Sequence, residues 1–143
     1  MLKILHPVDG SESSTRATRQ LIAALDWYRE RPRIDLVTVH LPVPRFPNMG
    51  VVVGEDTIER YYGEECAAML APSKKALDAA GVKYQSYRRV GAIAESIVEQ
   101  AKESKADMIF MGTRGMTALS NIVLGSVATR VLHLAHLPVV MIP

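Results

Sequence analysis

One cysteine, Cys66, stands in 143 residues. A single thiol excludes a disulfide within the chain, and a Cys-based metal cluster has no set of ligands in one copy. Positive charge is present but not gathered. Arg16, Arg19, Arg33, Lys75, Lys83, Arg89 and Lys102 are spread among acids, for a net charge of only +2. A nucleic-acid footprint needs its charge in a patch or stripe, so no such partner is expected. Long apolar runs are also missing. The N-terminal one is cut short by Pro7 and Asp9, and residues 122–142 are interrupted by Arg130, His133, His136 and Pro138. Neither a signal sequence nor a membrane span is expected, which leaves a soluble cytoplasmic protein in a reducing compartment.

What is there suits a packed core: 48% of residues are apolar and 22% charged. The length suits a single domain over 1–143. Apolar runs of strand length alternate with stretches of helical period, the signature of βαβ units around a parallel sheet. Strands are expected at residues 3–8, 34–40, 82–89, 108–111 and 139–142, with four helices between them. The fold class is therefore α/β, an open five-stranded parallel sheet with helices on both faces. The third strand is the most polar and is placed at an edge.

The first helix gathers Ala17, Leu21, Ala24, Leu25 and Tyr28 on one face, and Ser11 or Ser13 can cap its start. Residues 41–56 hold Pro42, Pro44, Pro47, Gly50 and Gly54, a density of breakers that predicts a long loop. Thr57 is the expected cap of the second helix, which Pro72 should kink or split. Cys66 lies on that helix's apolar face and reads as core.

The chemistry concentrates after the fourth strand. Gly112-Thr113-Arg114-Gly115 is followed by nine residues and then Gly125-Ser126 at the start of the last helix, a spacing of G-x2-G-x9-G-S. Glycines let backbone approach an anion without a Cβ in the way, and a helix N-terminus presents free N–H groups to a phosphate. Ser126 adds a hydroxyl, and Arg114 can reach a phosphate or remain a solvated loop charge. Each hydrogen bond to a charged group contributes about 1.5–3 kcal/mol, against the roughly 7 kcal/mol that a Kd near 10 μM represents. A few such bonds suffice. Neither the P-loop pattern nor G-x-G-x-x-G is present.

Asp9 ends the first strand at the same edge, where it can accept from an adenine amino group or ribose hydroxyl, or else close an Asx turn. Val39 and His40 end the second strand there and can offer backbone groups to a base. His133 and His136 lie three apart on the last helix without a carboxylate or thiol beside them, so no metal site is expected.

Three stretches together, Lys3 through Ser11, Ala106 through Gly115, and Gly125-Ser126-Val127 on to Pro138-Val139-Val140, resemble the universal stress protein family. The likeness covers nearly the whole chain, with the central loop its least distinctive part, and the glycine signature is that of the ATP-binding branch. The resemblance implies ATP as ligand, with Mg²⁺ able to bridge its phosphates, and a homodimer. It implies that Asp9 and the backbone near Val39 meet adenine, in a pocket shaped by Pro7 and Val8. Gly112 and Gly115 would line ribose and phosphates, with Met111 and Arg114 beside them, and Gly125, Ser126 and Val127 would hold the phosphates. His6 stands where such proteins often carry Val; it can alter the pocket, pair with His40, or be a satisfied core histidine.

A positioned base and a lysine or metal clamp, which phosphoryl transfer requires, form no clear set here. The expectation is an ATP-binding stress-response regulator that dimerises through its C-terminal strand. Slow ATP hydrolysis and a nucleotide-independent dimeric scaffold are the alternatives.

Overall fold

The computed structural model describes residues 1–44, 54–114 and 124–143. Five strands, β1 (Lys3–Pro7), β2 (Arg33–His40), β3 (Tyr84–Val90), β4 (Met108–Gly112) and β5 (Val139–Ile142), alternate with α1 (Glu12–Ala24), α2 (Glu55–Ala79), α3 (Ile93–Glu103) and α4 (Ser126–Leu134). Every recorded pairing is parallel, and the strand order is β3-β2-β1-β4-β5. The polar third strand does lie at an edge. Its Arg88 pairs with Glu59 of α2, while Arg89 reaches Glu99 and Glu103 of α3 at 3.0 and 2.9 Å. Charges along an edge discourage pairing with other chains.

Strand alternation divides the core between two faces. Leu5, Val37, Val39, Ile109 and Met111 pack with Ala94, Ile97 and Ala101 of α3 and Ala128 and Val131 of α4. On the other face Ile4, Ile34 and Phe110 meet Leu21 of α1, and Val8 and Leu36 meet Leu70 and Leu77 of α2. Both faces of β2 are covered, so its run Ile34–Leu36–Val37–Val39 is buried without interruption.

Several expectations need correction. Thr57 does not cap α2: the helix begins at Glu55 with Gly54 as N-cap, and Thr57 donates its backbone N–H to Gly54 O at 3.1 Å. Glu55 and Asp56 in the first turn favour that earlier start by meeting the positive end of the helix dipole. The loop expected over 41–56 is thereby shortened, and its residues 45–53 lie outside the described residues. Pro72 does not split α2. Cys66, Leu70, Ser73 and Leu77 are buried on both sides of it, so one stripe of side chains holds the helix to the sheet across the hydrogen bond that proline removes.

His133 and His136 do not share a helix: α4 ends at Leu134, and Ala135 is already extended. Ser11, not Ser13, caps α1, its side chain accepting from Ser14 N at 3.1 Å. Cys66 is buried as expected, and burial pushes its thiol pKa up, away from a nucleophile's range.

Candidate functional site

β1 is followed by crossovers to β2 and β3 on one side, while β4 and β5 lie on the other. The order of strands therefore reverses between β1 and β4, and in open α/β sheets ligands occupy the crevice outside the carboxyl ends at such a switch point. The recorded β1–β4 pairing stops at Leu5↔Ile109 although β4 runs on to Gly112. The expected crevice lies beyond that pair.

Three segments converge on it. The β1–α1 turn carries Asp9, whose Oδ1 accepts from Ser11 N at 2.9 Å and whose own N–H donates to Ser14 Oγ at 3.2 Å. The Asx turn is thus formed, and Oδ2 accepts no hydrogen bond among the described residues. Gly112 ends β4 against this turn. A Cβ there would stand 3.1 Å from Ser13 Oγ and 3.3 Å from Ser13 O, so this glycine seats the first turn of α1. The third segment is the start of α4, drawn to the end of β4 by Gly125 N donating to Thr113 O at 2.6 Å.

β2 supplies backbone. Its ladder with β1 ends at Pro7↔Val37, closed by Val8 N donating to Val37 O at 2.9 Å. By alternation the next N–H and C=O on that side belong to Val39, which makes no backbone hydrogen bond to the β1 side among the described residues. A donor and an acceptor side by side match the edge of a purine base.

α4 differs from the other helices at its N-terminus. α1 has Glu12 in its first turn, α2 has Glu55 and Asp56, and α3 has Glu95. α4 has no acidic residue there, and its N-cap Gly125 offers no side chain to the free N–H groups. Among the described residues no side chain caps or neutralises the positive end of this dipole, and the exposed Ser126 is its first helical residue.

The predicted residues divide by what they can present. Asp9, Gly112, Arg114, Gly125 and Ser126 come together around the crevice. The side chains of Val8, Val39 and Met111 are buried in the core, which leaves their backbone for the site. Pro7 is buried, and Val127 packs against the α3–α4 core. Gly115 lies outside the described residues. Thr113 was not singled out from the sequence, although it stands between two residues that were.

His6, one residue beyond the last recorded β1–β4 pair, makes no pair with His40. It is fully buried. Its Nδ1 lies 2.6 Å from Phe110 O and its Nε2 2.8 Å from Thr18 Oγ1, which in turn lies 2.7 Å from Ser73 Oγ. A carbonyl can only accept, so Nδ1 carries the proton and Nε2 is left as an acceptor; the one hydroxyl proton of Thr18 is shared between Nε2 and Ser14 O, 3.1 Å away, while Thr18 accepts from Ser73. This chain of bonds joins β4, β1, α1 and α2 just where the β1–β4 ladder stops. Burial pushes the imidazole pKa down to about 4, only partly opposed by the Phe110 carbonyl.

Sheet order, two helix layers and an anion-suited crevice define a Rossmann-like α/β protein. The chain belongs to the universal stress protein family, whose model matches residues 1–143. It is 38% identical over 141 residues to universal stress protein MJ0531 of Methanocaldococcus jannaschii, covering 98% of this chain and 81% of that one. The solved structure of the hypothetical protein MJ0577 superposes with a TM-score of 0.78 at 26% identity, covering 99% and 94% of the two chains. A universal stress protein from Archaeoglobus fulgidus, solved in complex with dAMP, gives 0.65 at 25% identity over 100% and 98%.

Proposed function

We propose that this protein is a regulatory module that binds an adenine nucleotide, ATP in particular, in the crevice between β1 and β4. The observation that carries the reading is the start of α4, the only one of the four helices described without an acid in its first turn. It faces the switch point, where the backbone of Val39, without a bond on the β1 side among the described residues, can offer a base its hydrogen bonds. The dAMP complex of the Archaeoglobus fulgidus relative supports adenine as that base. Gly112, Arg114, Gly125 and Ser126 would serve the phosphates, and Asp9 Oδ2 a ribose hydroxyl or the adenine amino group. Among the described residues no group of three or more His, Cys, Asp and Glu could hold a metal ion, so Mg²⁺ would travel on the triphosphate.

β5 is the other sheet edge. Its Val139, Val140, Met141 and Ile142 are apolar and only half-buried. Pairing with the same strand of a second copy would cover both them and the open backbone groups, giving the dimer that nucleotide biases. A monomeric mass by light scattering at micromolar concentration would contradict it.

The test of the nucleotide site is Gly125→Asp. Gly125 has φ −70 and ψ 166, a conformation any residue adopts, and Asp is among the best N-caps. The variant should melt at or above the wild-type temperature while its ATP affinity drops at least about tenfold, because a carboxylate then occupies the phosphate's place. Wild-type ATP affinity in this variant would sink the site, as would mass spectra of denatured wild-type protein and dialysis against ATP that both show no bound nucleotide.

A further inference from the structure

Thr113 has both of its backbone groups engaged. Its N–H donates to Ile142 O at 2.9 Å, and its C=O accepts from Gly125 N at 2.6 Å. The residue is therefore clamped between the ends of β4 and β5 and the N-cap of α4. Only 4% of it is exposed, and its Oγ1 is buried with no hydrogen-bond partner among the described residues. The bond to Ile142 continues the β4–β5 ladder, so strand alternation continues too. It places the Thr113 side chain on the face of Ile109 and Met111, the face α4 covers. The Nε of the adjacent Arg114 is buried without a partner in the same way.

A buried hydroxyl left unpaired destabilises the ligand-free fold, and valine would fill the same volume without that loss. Among the described residues, threonine here gains nothing for the ligand-free protein. It gains something if a hydrogen-bond acceptor arrives at the start of α4.

We propose that Thr113 is a ligand-binding residue of this crevice, its hydroxyl donating to a phosphate oxygen of the bound nucleotide beside the uncapped N-terminus of α4. The proposal rests on the nucleotide reading above and adds a donor to it. A hydroxyl donating to an anion makes a charge-assisted bond, stronger than one between neutral groups. Adenosine lacks the phosphate and should be blind to it.

The experiment compares wild type, Thr113→Val, Thr113→Ser and Thr113→Ala in three measurements: melting of the ligand-free protein, ATP affinity and adenosine affinity by calorimetry. Thr113→Val should melt at or above the wild-type temperature, bind ATP about tenfold more weakly, and bind adenosine as wild type does. Thr113→Ser should keep ATP affinity within about twofold. Should Thr113→Val fold poorly, Thr113→Ala carries the same comparison of ATP against adenosine. Wild-type ATP affinity in the valine or alanine variant would overturn the proposal. So would equal losses for ATP and adenosine, the mark of a merely structural role. If wild-type protein binds neither ligand, the nucleotide reading itself has failed and this one falls with it.

Discussion

His6 and Asp35 are both buried, and they differ in whether the fold has answered their polarity. The imidazole of His6 is satisfied at both nitrogens and held neutral, with its pKa pushed from 6.5 down to about 4. The unfolded chain therefore takes up a proton before the folded one does. Stability from this residue is complete above about pH 6.5 and is lost as the pH falls toward 4, reaching about 3 kcal/mol at the limit. Urea unfolding of wild type and His6→Val between about pH 7.5 and 4.5 should show a steeper decline for wild type. Equal slopes would mean that His6 is protonated inside the fold.

Asp35 is 1% exposed, and among the described residues neither oxygen has a partner beyond Arg33 Nε, 3.9 Å from Oδ1. Arg33 is itself half exposed, so its attraction is screened. Asp35→Val, close in shape and favoured in strands, should raise the unfolding free energy by about 1–3 kcal/mol. A lower value in urea unfolding would show that the pairing with Arg33 outweighs desolvation.

At the scale of elements, the β1–α1 turn meets α2 at its weakest point. Pro72 lacks the N–H that would bond Ala68 O, and there Gly10 comes in with φ +80. A Cβ at Gly10 would lie 3.1 Å from Met69 Cα and 3.3 Å from Met69 O, with Ala68 O at 3.6 Å. Gly81, with φ +67, has nothing within 4 Å of its would-be Cβ. Gly81→Ala should cost about 1 kcal/mol from backbone strain alone, and Gly10→Ala distinctly more, about 2–3 kcal/mol, since the helix backbone must also move. Thermal unfolding of the two single variants checks the order, and a Gly10 loss no larger than that at Gly81 would mean α2 yields freely. Pro72 itself was legible in the sequence and its effect was not. Its neighbours Leu70 and Leu77 pack on Val8 and Leu36, and Ser73 bonds Thr18 of α1, all far away in the chain, and no local pattern reports that.

For the whole molecule, ligand binding and folding are linked. ATP at about a hundred times its Kd should stabilise the wild type by about 2.7 kcal/mol, and Gly125→Asp should abolish most of that gain while folding normally. Equal thermal shifts in the two proteins would place the ligand elsewhere. No helix among the described residues is long and apolar enough to cross a membrane, in keeping with the broken apolar runs.

The order of strands and helices, the polar strand at an edge and the spacing of Gly112, Gly115 and Gly125 were determined by consecutive residues, because periodicity and turn chemistry act over a few positions. Tertiary structure alone decided that β1 lies beside β4, which sets Asp9 near Gly112 and opens the crevice. It also decided that Phe110 and Thr18 meet the two nitrogens of His6 and that, among the described residues, the backbone of Val39 makes no bond on the β1 side and the Thr113 hydroxyl has no partner. Those outcomes depend on which strands share a sheet and where each pairing stops, and that is settled by burying both faces of the sheet at once.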